Sequence, residues 1–592
     1  MKKTVRALCA LILCLCLSLP AYAAPGETFA FGEEPRLIFA GNDRDPRLKS
    51  TLSLSASEFA AEGISLSPVY GGAFAARPGD LVVLPDSSLP REGYKIDITP
   101  ENILLFCSPG EASPFYGGER DWNGLLYGLR RILKLRRTGE LVPGVLSETP
   151  ETEERSFMLD CGRKYFTPDW ICSLIRQLSW LGFNSLELHL SDEQGLRADV
   201  WNGGELSWLC GSTPAPWVYG CPDPDEGKYL TFSDLEKIME TAREYHMEII
   251  PALESPGHCR HICRSFETHA RQTENFSFSF DGRTYTPSET GNYSIASQAD
   301  SNLLNLTDPM AADFFCRILS DFADFFGSCG CRRFNLCADE VPDSSLSREV
   351  FTDYVNQLTE LLREKGFEVR AFNDGLLPGT DPDIGAVYWH TPAGVSSLPE
   401  DRKIYNASQE YSYYVLRKFN VPGYEDNPYY GMDARDPANR WWTFGGGTAE
   451  KIFEEWNPSV LPGTDEKPEQ VSGSYYLLWC DYPGLTTEEN LWTEWDFQEK
   501  LRAHAAKSLD WDLQKEMSYE EFAAEGEKTG NCPGLTDCTA ALHLPAAPEI
   551  LSRYGADLCT LHRFLSGREK GTLSREETER SGLSYVCLSV PS

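Results

Sequence analysis

Two adjacent carboxyl side chains, Asp339 and Glu340, follow an extended run from Arg333 to Cys337. Similar groups recur just past other extended runs: Asp160 and Arg163; His189, Asp192 and Glu193; Glu254 and His258; Asn373 and Asp374. Later in the chain come Trp389 and His390, Tyr411 and Tyr413, and Trp479 with Asp481. Carboxylates can do acid/base work and recognise hydroxyls, and indole faces stack on the apolar face of a pyranose. The set suits a glycosidase. A single Asp at a strand end more often caps a helix or braces a loop, so the collective arrangement carries this reading.

Such residues can act together only if the chain returns each of them to one place. From Phe157 to about Leu509, short apolar runs alternate with amphipathic helices, the pattern of parallel strands joined by crossover helices. In the first unit, Phe157–Asp160 is followed by Thr167 as N-cap, Pro168 at the first helical position and a stripe from Ile171 to Leu181, stopped by Gly182. Ser233 with Glu236 reads as a capping box, and Asp308-Pro309 opens a third helix. Further strands are expected at Leu186–Leu190, Ile249–Leu253, Arg333–Cys337, Val369–Phe372, Ala386–Trp389, Ile404–Asn406 and Tyr475–Trp479. Eight strands in this stretch predict a (β/α)8 TIM-type barrel over residues 151–510, whose C-terminal strand ends face the active-site mouth. An open doubly wound sheet is the alternative, but no glycine-rich phosphate loop follows the first strand.

Residues 25–150 read as a small α/β domain, with strands near Leu81–Leu84, Tyr94–Ile98 and Ile103–Phe106 and a helix from Trp122 to Leu135. Residues 511–592 form a helix-prone extension without a motif. At the other end, Lys2, Lys3 and Arg6 precede an apolar run from Ala7 to Leu19, and Ala21-Tyr22-Ala23 supplies a small-x-small cleavage site. A signal peptide over residues 1–23 is expected, and with it an exported, extracytoplasmic protein that is not inserted in a membrane.

The formal charge, 54 − 89 = −35, repels phosphate backbones and argues against nucleic acid as a partner. Three of the 19 cysteines lie in the leader, and the other 16 are too dispersed for a disulfide scaffold. The cluster His258, Cys259, His261, Cys263 and His269 has the residue types for zinc but none of the usual paired spacings, so no metal is expected.

The motifs resemble glycoside hydrolase family 20, the β-N-acetylhexosaminidases. Arg155 to Arg163 is similar to that family's first strand, His189 to Gly195 to its second, and Pro256-Gly257-His258 to the turn after its third. Asp339-Glu340 stands at its paired Asp-Glu and Trp479-Cys480-Asp481 at its Trp-x-acid. The likeness spans roughly residues 90 to 507. It implies a retaining exo-glycosidase that needs no cofactor and releases terminal β-linked N-acetylhexosamine, the substrate's own 2-acetamido oxygen serving as nucleophile.

By the same resemblance Glu340 is the general acid, and Asp339 binds the acetamido N–H and steadies the oxazolinium intermediate. Arg163 and Asp481 hold hydroxyls, Asp192 and His258 support the acidic pair, Tyr411 bonds the acetamido carbonyl, and Trp389 and Trp479 wall the pocket. Each has a plainer alternative: a surface ion pair for Arg163, a helix-face core position for Tyr411, barrel packing for Trp389, a satisfied structural imidazole for His258. The charge of Asp339 is expected to raise the pKa of Glu340, and the pair must sit where its strand has ended or bent. Asn373, Tyr413 and Asp481 depart from the common pattern, towards the branch that includes lacto-N-biosidases, which release a disaccharide. A silent carbohydrate-binding protein would need neither Asp339 nor Glu340.

Overall fold

The computed structural model describes residues 27–535 except 42–44, 72–75, 140, 214–224, 342–345, 390–401, 416–447, 462–469, 482, 485–487 and 494–496. The expected leader and the tail from residue 536 lie outside the described residues. The chain divides into two units, one running to Pro150 and taking in Ala524–Pro533, the other running from Glu151 to Ala523.

The first unit is built on a six-stranded mixed sheet with strands Ser67–Tyr70, Arg36–Phe39, Leu81–Pro85, Ile103–Cys107, Tyr94–Ile98 and Gly144–Glu148 in spatial order. The first four run parallel and the last two pairings are antiparallel. Two helices, Pro46–Ala61 and Asn123–Thr138, are tied by a buried ion pair in which Arg130 Nη2 meets Glu58 Oε1 at 2.6 Å.

The second unit is a closed parallel barrel. Its strands are Glu154–Asp160, Ser185–His189, Glu248–Ala252, Arg333–Asn335, Glu368–Phe372, Gly385–Tyr388, Ile404–Asn406 and Val471–Trp479. The seventh pairs with the eighth and the eighth with the first, which closes the ring; the short strand Tyr413–Val415 adds to the end of the eighth.

Local sequence explains where the helices start. Thr167 accepts the Trp170 N–H, Pro168 fits the first turn, and Gly182 in left-handed backbone ends the helix Pro168–Leu181. The helix Phe232–Glu244 starts earlier than the Ser233/Glu236 pair suggests, because Thr231 and Asp234 exchange both capping bonds. Asp308 caps Pro309–Ser328 as expected. No helix among the described residues is long and apolar enough to cross a membrane. Trp511 stays with this unit, donating its amide N–H to Glu151 and its indole N–H to Thr152, and a helix follows at Tyr519–Thr529.

The barrel interior is layered. At its floor the Glu154 carboxylate meets Arg370 and Arg333, each at 2.6 Å, and Glu187 accepts from Asn335 and the Tyr475 hydroxyl. Burial favours the neutral acid, but the two guanidinium groups outweigh it and hold Glu154 down at about 2. Above this floor Met158, Phe372, Val387, Leu477 and Trp479 pack in one apolar cluster. The strand ends above that layer are thereby held on a rigid base.

Candidate active site

The first strand ends in a clamp. Asp160 Oδ1 accepts the Arg163 amide N–H at 3.0 Å, while Oδ2 accepts the Arg163 guanidinium and the Cys480 amide N–H, each at 3.0 Å. One buried carboxylate therefore turns the chain after the first strand and fastens it to the end of the eighth. Gly162 makes the turn possible, since a Cβ there would lie 2.7 Å from the Asp192 amide nitrogen.

Arg163 spans the mouth from this clamp. Its Nη2 lies 3.0 Å from Asp192 Oδ2, its Nη1 lies 3.9 Å from Asp481 Oδ1, and its guanidinium sits over the Trp479 ring at 5.1 Å. The second strand supplies His189, whose Nε2 lies 3.0 Å from the same Asp192 oxygen. Burial would neutralise Asp192, but Arg163 and the two histidines hold it well below the ordinary carboxylate range.

His258 links Asp192 to Glu340. Its Nδ1 stands 3.4 Å from Asp192 Oδ1 and its Nε2 3.4 Å from Glu340 Oε2. Burial works to deprotonate the imidazole, but Asp192 and Glu340 prevail and raise its pKa well above 6.5.

The acidic pair sits past the fourth strand, which ends at Asn335. Cys337, Ala338 and Glu340 all take left-handed backbone, with φ of 56°, 65° and 54°. This departure from the strand lets both neighbouring carboxyls serve one mouth. The loop after the fifth strand braces the bend: the Glu340 amide donates to Asp374 Oδ2 and the Trp389 indole to Asp374 Oδ1, each at 2.8 Å. At Gly375 a Cβ would come within 2.2 Å of the Ala338 carbonyl oxygen, so only glycine permits the approach.

The electrostatics of the pair reverse the sequence expectation. Burial, then the charge of Asp374, pushes Asp339 up to about 7, whereas the hydrogen bond from His258 pulls Glu340 below its usual 4.5. The reason is position: Asp339 is buried among acids, while the Glu340 side chain is 58% exposed and lies next to an imidazolium.

The aromatic wall differs from expectation at one residue. Trp389 stacks on Tyr413 at 6.0 Å, and Tyr413 meets Trp479 at 5.9 Å. Tyr413, not Tyr411, faces the charges of Asp339, Asp374 and Glu340. The Tyr411 ring packs against the cluster of Ala449, Ile452, Phe453 and Trp456, and its hydroxyl donates to Glu455. A short helix, Gln409–Ser412, precedes the strand Tyr413–Val415 and turns the two tyrosines apart.

The structure thus brings together Arg163, Asp192, His258, Asp339, Glu340, Trp389, Trp479 and Asp481, and leaves Tyr411 aside. Asp160, Glu254, Asp374 and Tyr413 join them; their position at strand ends was the available signal. The histidines of the zinc-like cluster do not converge. His261 is bonded to Thr213 and the Leu209 carbonyl, and His269 stacks on Trp208 at 4.0 Å. The trios of metal-ligand-type side chains that do converge among the described residues belong to this mouth, where Arg163 and His258 supply positive charge.

The profile of the glycosyl hydrolase family 20 catalytic domain matches residues 153–414, the segment that carries Arg163, Asp192, His258, Asp339 and Glu340. Residues 153–414 are similar to the glycosyl hydrolase family 20 catalytic domain.

A family 20 exo β-N-acetylglucosaminidase from Vibrio harveyi, solved with N-acetylglucosamine, shares the fold with a TM-score of 0.63 at 16% identity, covering 88% of this chain and 76% of that one. The beta-hexosaminidase of Vibrio vulnificus is 21% identical over 479 residues, 70% of this chain and 52% of that protein. The lacto-N-biosidase of Bifidobacterium bifidum is 20% identical over 443 residues, 68% of this chain and 32% of that protein. The chain spans about half the length of the first curated relatives it matches.

Proposed function

We propose that this protein is a retaining exo-hydrolase that releases terminal β-linked N-acetylhexosamine from glycans. The observation that carries the reading is the seating of Asp339 and Glu340 on one bent segment at a barrel mouth, the first buried and the second open to solvent. In the resting protein the proton for catalysis resides on His258, paired with an ionised Glu340. When a sugar displaces water from Glu340, its carboxylate loses solvation and takes that proton from Nε2. Glu340 then protonates the departing glycosidic oxygen as the acetamido oxygen bonds to the anomeric carbon.

Asp339 accepts the acetamido N–H and offsets positive charge on the oxazolinium ring. Glu340, now ionised, takes a proton from the water that opens that ring, and the two inversions retain the anomeric configuration. Tyr413 is the hydroxyl placed to bond the acetamido carbonyl, and Trp389 and Trp479 are the stacking faces. Arg163 and Asp481 take the outer hydroxyls.

Release of a disaccharide is the second reading. It is favoured by the lacto-N-biosidase relative and by Asn373, whose Oδ1 accepts the Trp389 amide N–H at 2.9 Å and which departs from the common pattern of the resembled family. Export through the expected leader belongs to the same proposal, and a mature N-terminus at Ala24 would support it. Product analysis on β-linked N-acetylglucosaminides, N-acetylgalactosaminides and a lacto-N-biose-capped oligosaccharide tests the reading. Monosaccharide release supports the first form, disaccharide release the second, and no cleavage of any of them refutes both.

A further inference from the structure

One acid at the mouth has no part in the chemistry above. Glu254 follows the third strand, four residues before His258, and is 1% exposed. Its amide N–H donates to Ser191 Oγ at 2.9 Å and its carbonyl accepts the Cys259 thiol at 3.3 Å, so its backbone is fixed on both sides. The Glu254 carboxylate lies within 4.8 Å of the Cys337 thiol and the His189 imidazole, and it interacts with the Asp339 carboxyl.

Each of these two acids has one oxygen left unsatisfied. Glu254 Oε1 and Asp339 Oδ1 are both buried, and neither receives an N–H or O–H from the described residues. Buried polar atoms are rarely left so, and two bare carboxylates in contact repel. Double protonation would remove the anion that the substrate amide needs. A single proton between them satisfies both oxygens. Glu254 lies deeper than Asp339, 1% against 8% exposed, and the deeper group is the costlier one to ionise.

We infer that Glu254 keeps its proton and donates it as a hydrogen bond to Asp339, a positioning residue that holds Asp339 as an anion turned towards the substrate amide. The inference rests on the hydrolase reading above for its consequence, not for its geometry. Other groups facing Asp339 are Asp374 and Glu340, which oppose its charge, His258 and His189, which favour it, and the Tyr413 hydroxyl. Burial and the proximity of Asp339 raise the pKa of Glu254 well above 4.5, in keeping with this assignment.

Glu254→Gln keeps a donor without a charge, and Glu254→Met fills similar space without one. In kcat/KM profiles on an aryl β-N-acetylglucosaminide, the methionine variant should lose about tenfold more activity than the glutamine variant. Its acid limb should also move up by about one pH unit, because Asp339 loses the bond that favours its anion. A purely space-filling role predicts that the two variants share one profile, and that result overturns the inference.

Infrared difference spectra of wild type against Glu254→Gln at neutral pH give a readout that needs no turnover. The wild type should show a protonated-carboxyl band that the variant lacks; absence of that band also overturns the inference. Should the wild type cleave none of the sugars, the spectrum still decides the protonation, so failure of the hydrolase reading is told apart from failure of this one.

Discussion

Asp374 holds Glu340 by its backbone: the carboxylate accepts the Glu340 amide N–H at 2.8 Å across the gap between the fifth and fourth strand ends. The other oxygen of Asp374 orients the Trp389 indole, so one side chain fixes both Glu340 and Trp389. Asp374→Ala should lower kcat by about tenfold to a hundredfold, the effect of losing charge-assisted hydrogen bonds. Steady-state kinetics with a thermal melt check this; a lowered melting temperature with kcat unchanged would assign Asp374 to stability alone.

Glu340→Gln removes the transferable proton while preserving shape. Hydrolysis of substrates with poor leaving groups should fall by about 100-fold to 10,000-fold, and less for an activated aryl leaving group that needs little protonation. A loss equal across leaving groups would remove Glu340 from the acid role.

The two tyrosines separate the aligned position from the placed one. Tyr413→Phe should reduce kcat/KM by about tenfold, the effect of one hydrogen bond to a developing charge, whereas Tyr411→Phe should change it by less than about twofold. The reverse order would restore Tyr411 to the pocket.

The barrel floor makes a prediction about stability and pH. Glu154 is held at about 2 in the folded protein against a reference value of 4.5, so its contribution is present above the unfolded pKa and is lost as pH falls towards 2. Glu154→Leu strands Arg370 and Arg333 and should cost on the order of 3–5 kcal/mol at neutral pH. The deficit should shrink in acid, as chemical denaturation at several pH values would show.

What the sequence disclosed was mostly local. Thr167, Gly182 and the Asp308-Pro309 start are legible because each cap is settled within one helical turn. The first strand stands out as the apolar run Phe157-Met158-Leu159, because both faces of a barrel strand are buried; the second alternates Leu186 and Leu188 with the buried polar residues Glu187 and His189. The departures come from contacts across strands. His258 reaches Glu340 from another loop and inverts its expected shift, and no spacing in the chain reports that distance. Tyr411 and Tyr413 look equivalent until the intervening backbone turns one away. Glu254 passes for a loop acid until the fold brings it into interaction with Asp339.

The central claim is that the substrate's own amide performs the first bond-forming step. A series of aryl β-glucosaminides whose N-acyl group carries zero to three fluorine atoms tests it most directly, because fluorine weakens the carbonyl oxygen as a nucleophile while barely changing the leaving group. The wild-type protein should lose kcat/KM steeply with each fluorine, by about tenfold or more across the series. A flat response, or comparable cleavage of the 2-hydroxy sugar, would contradict the account.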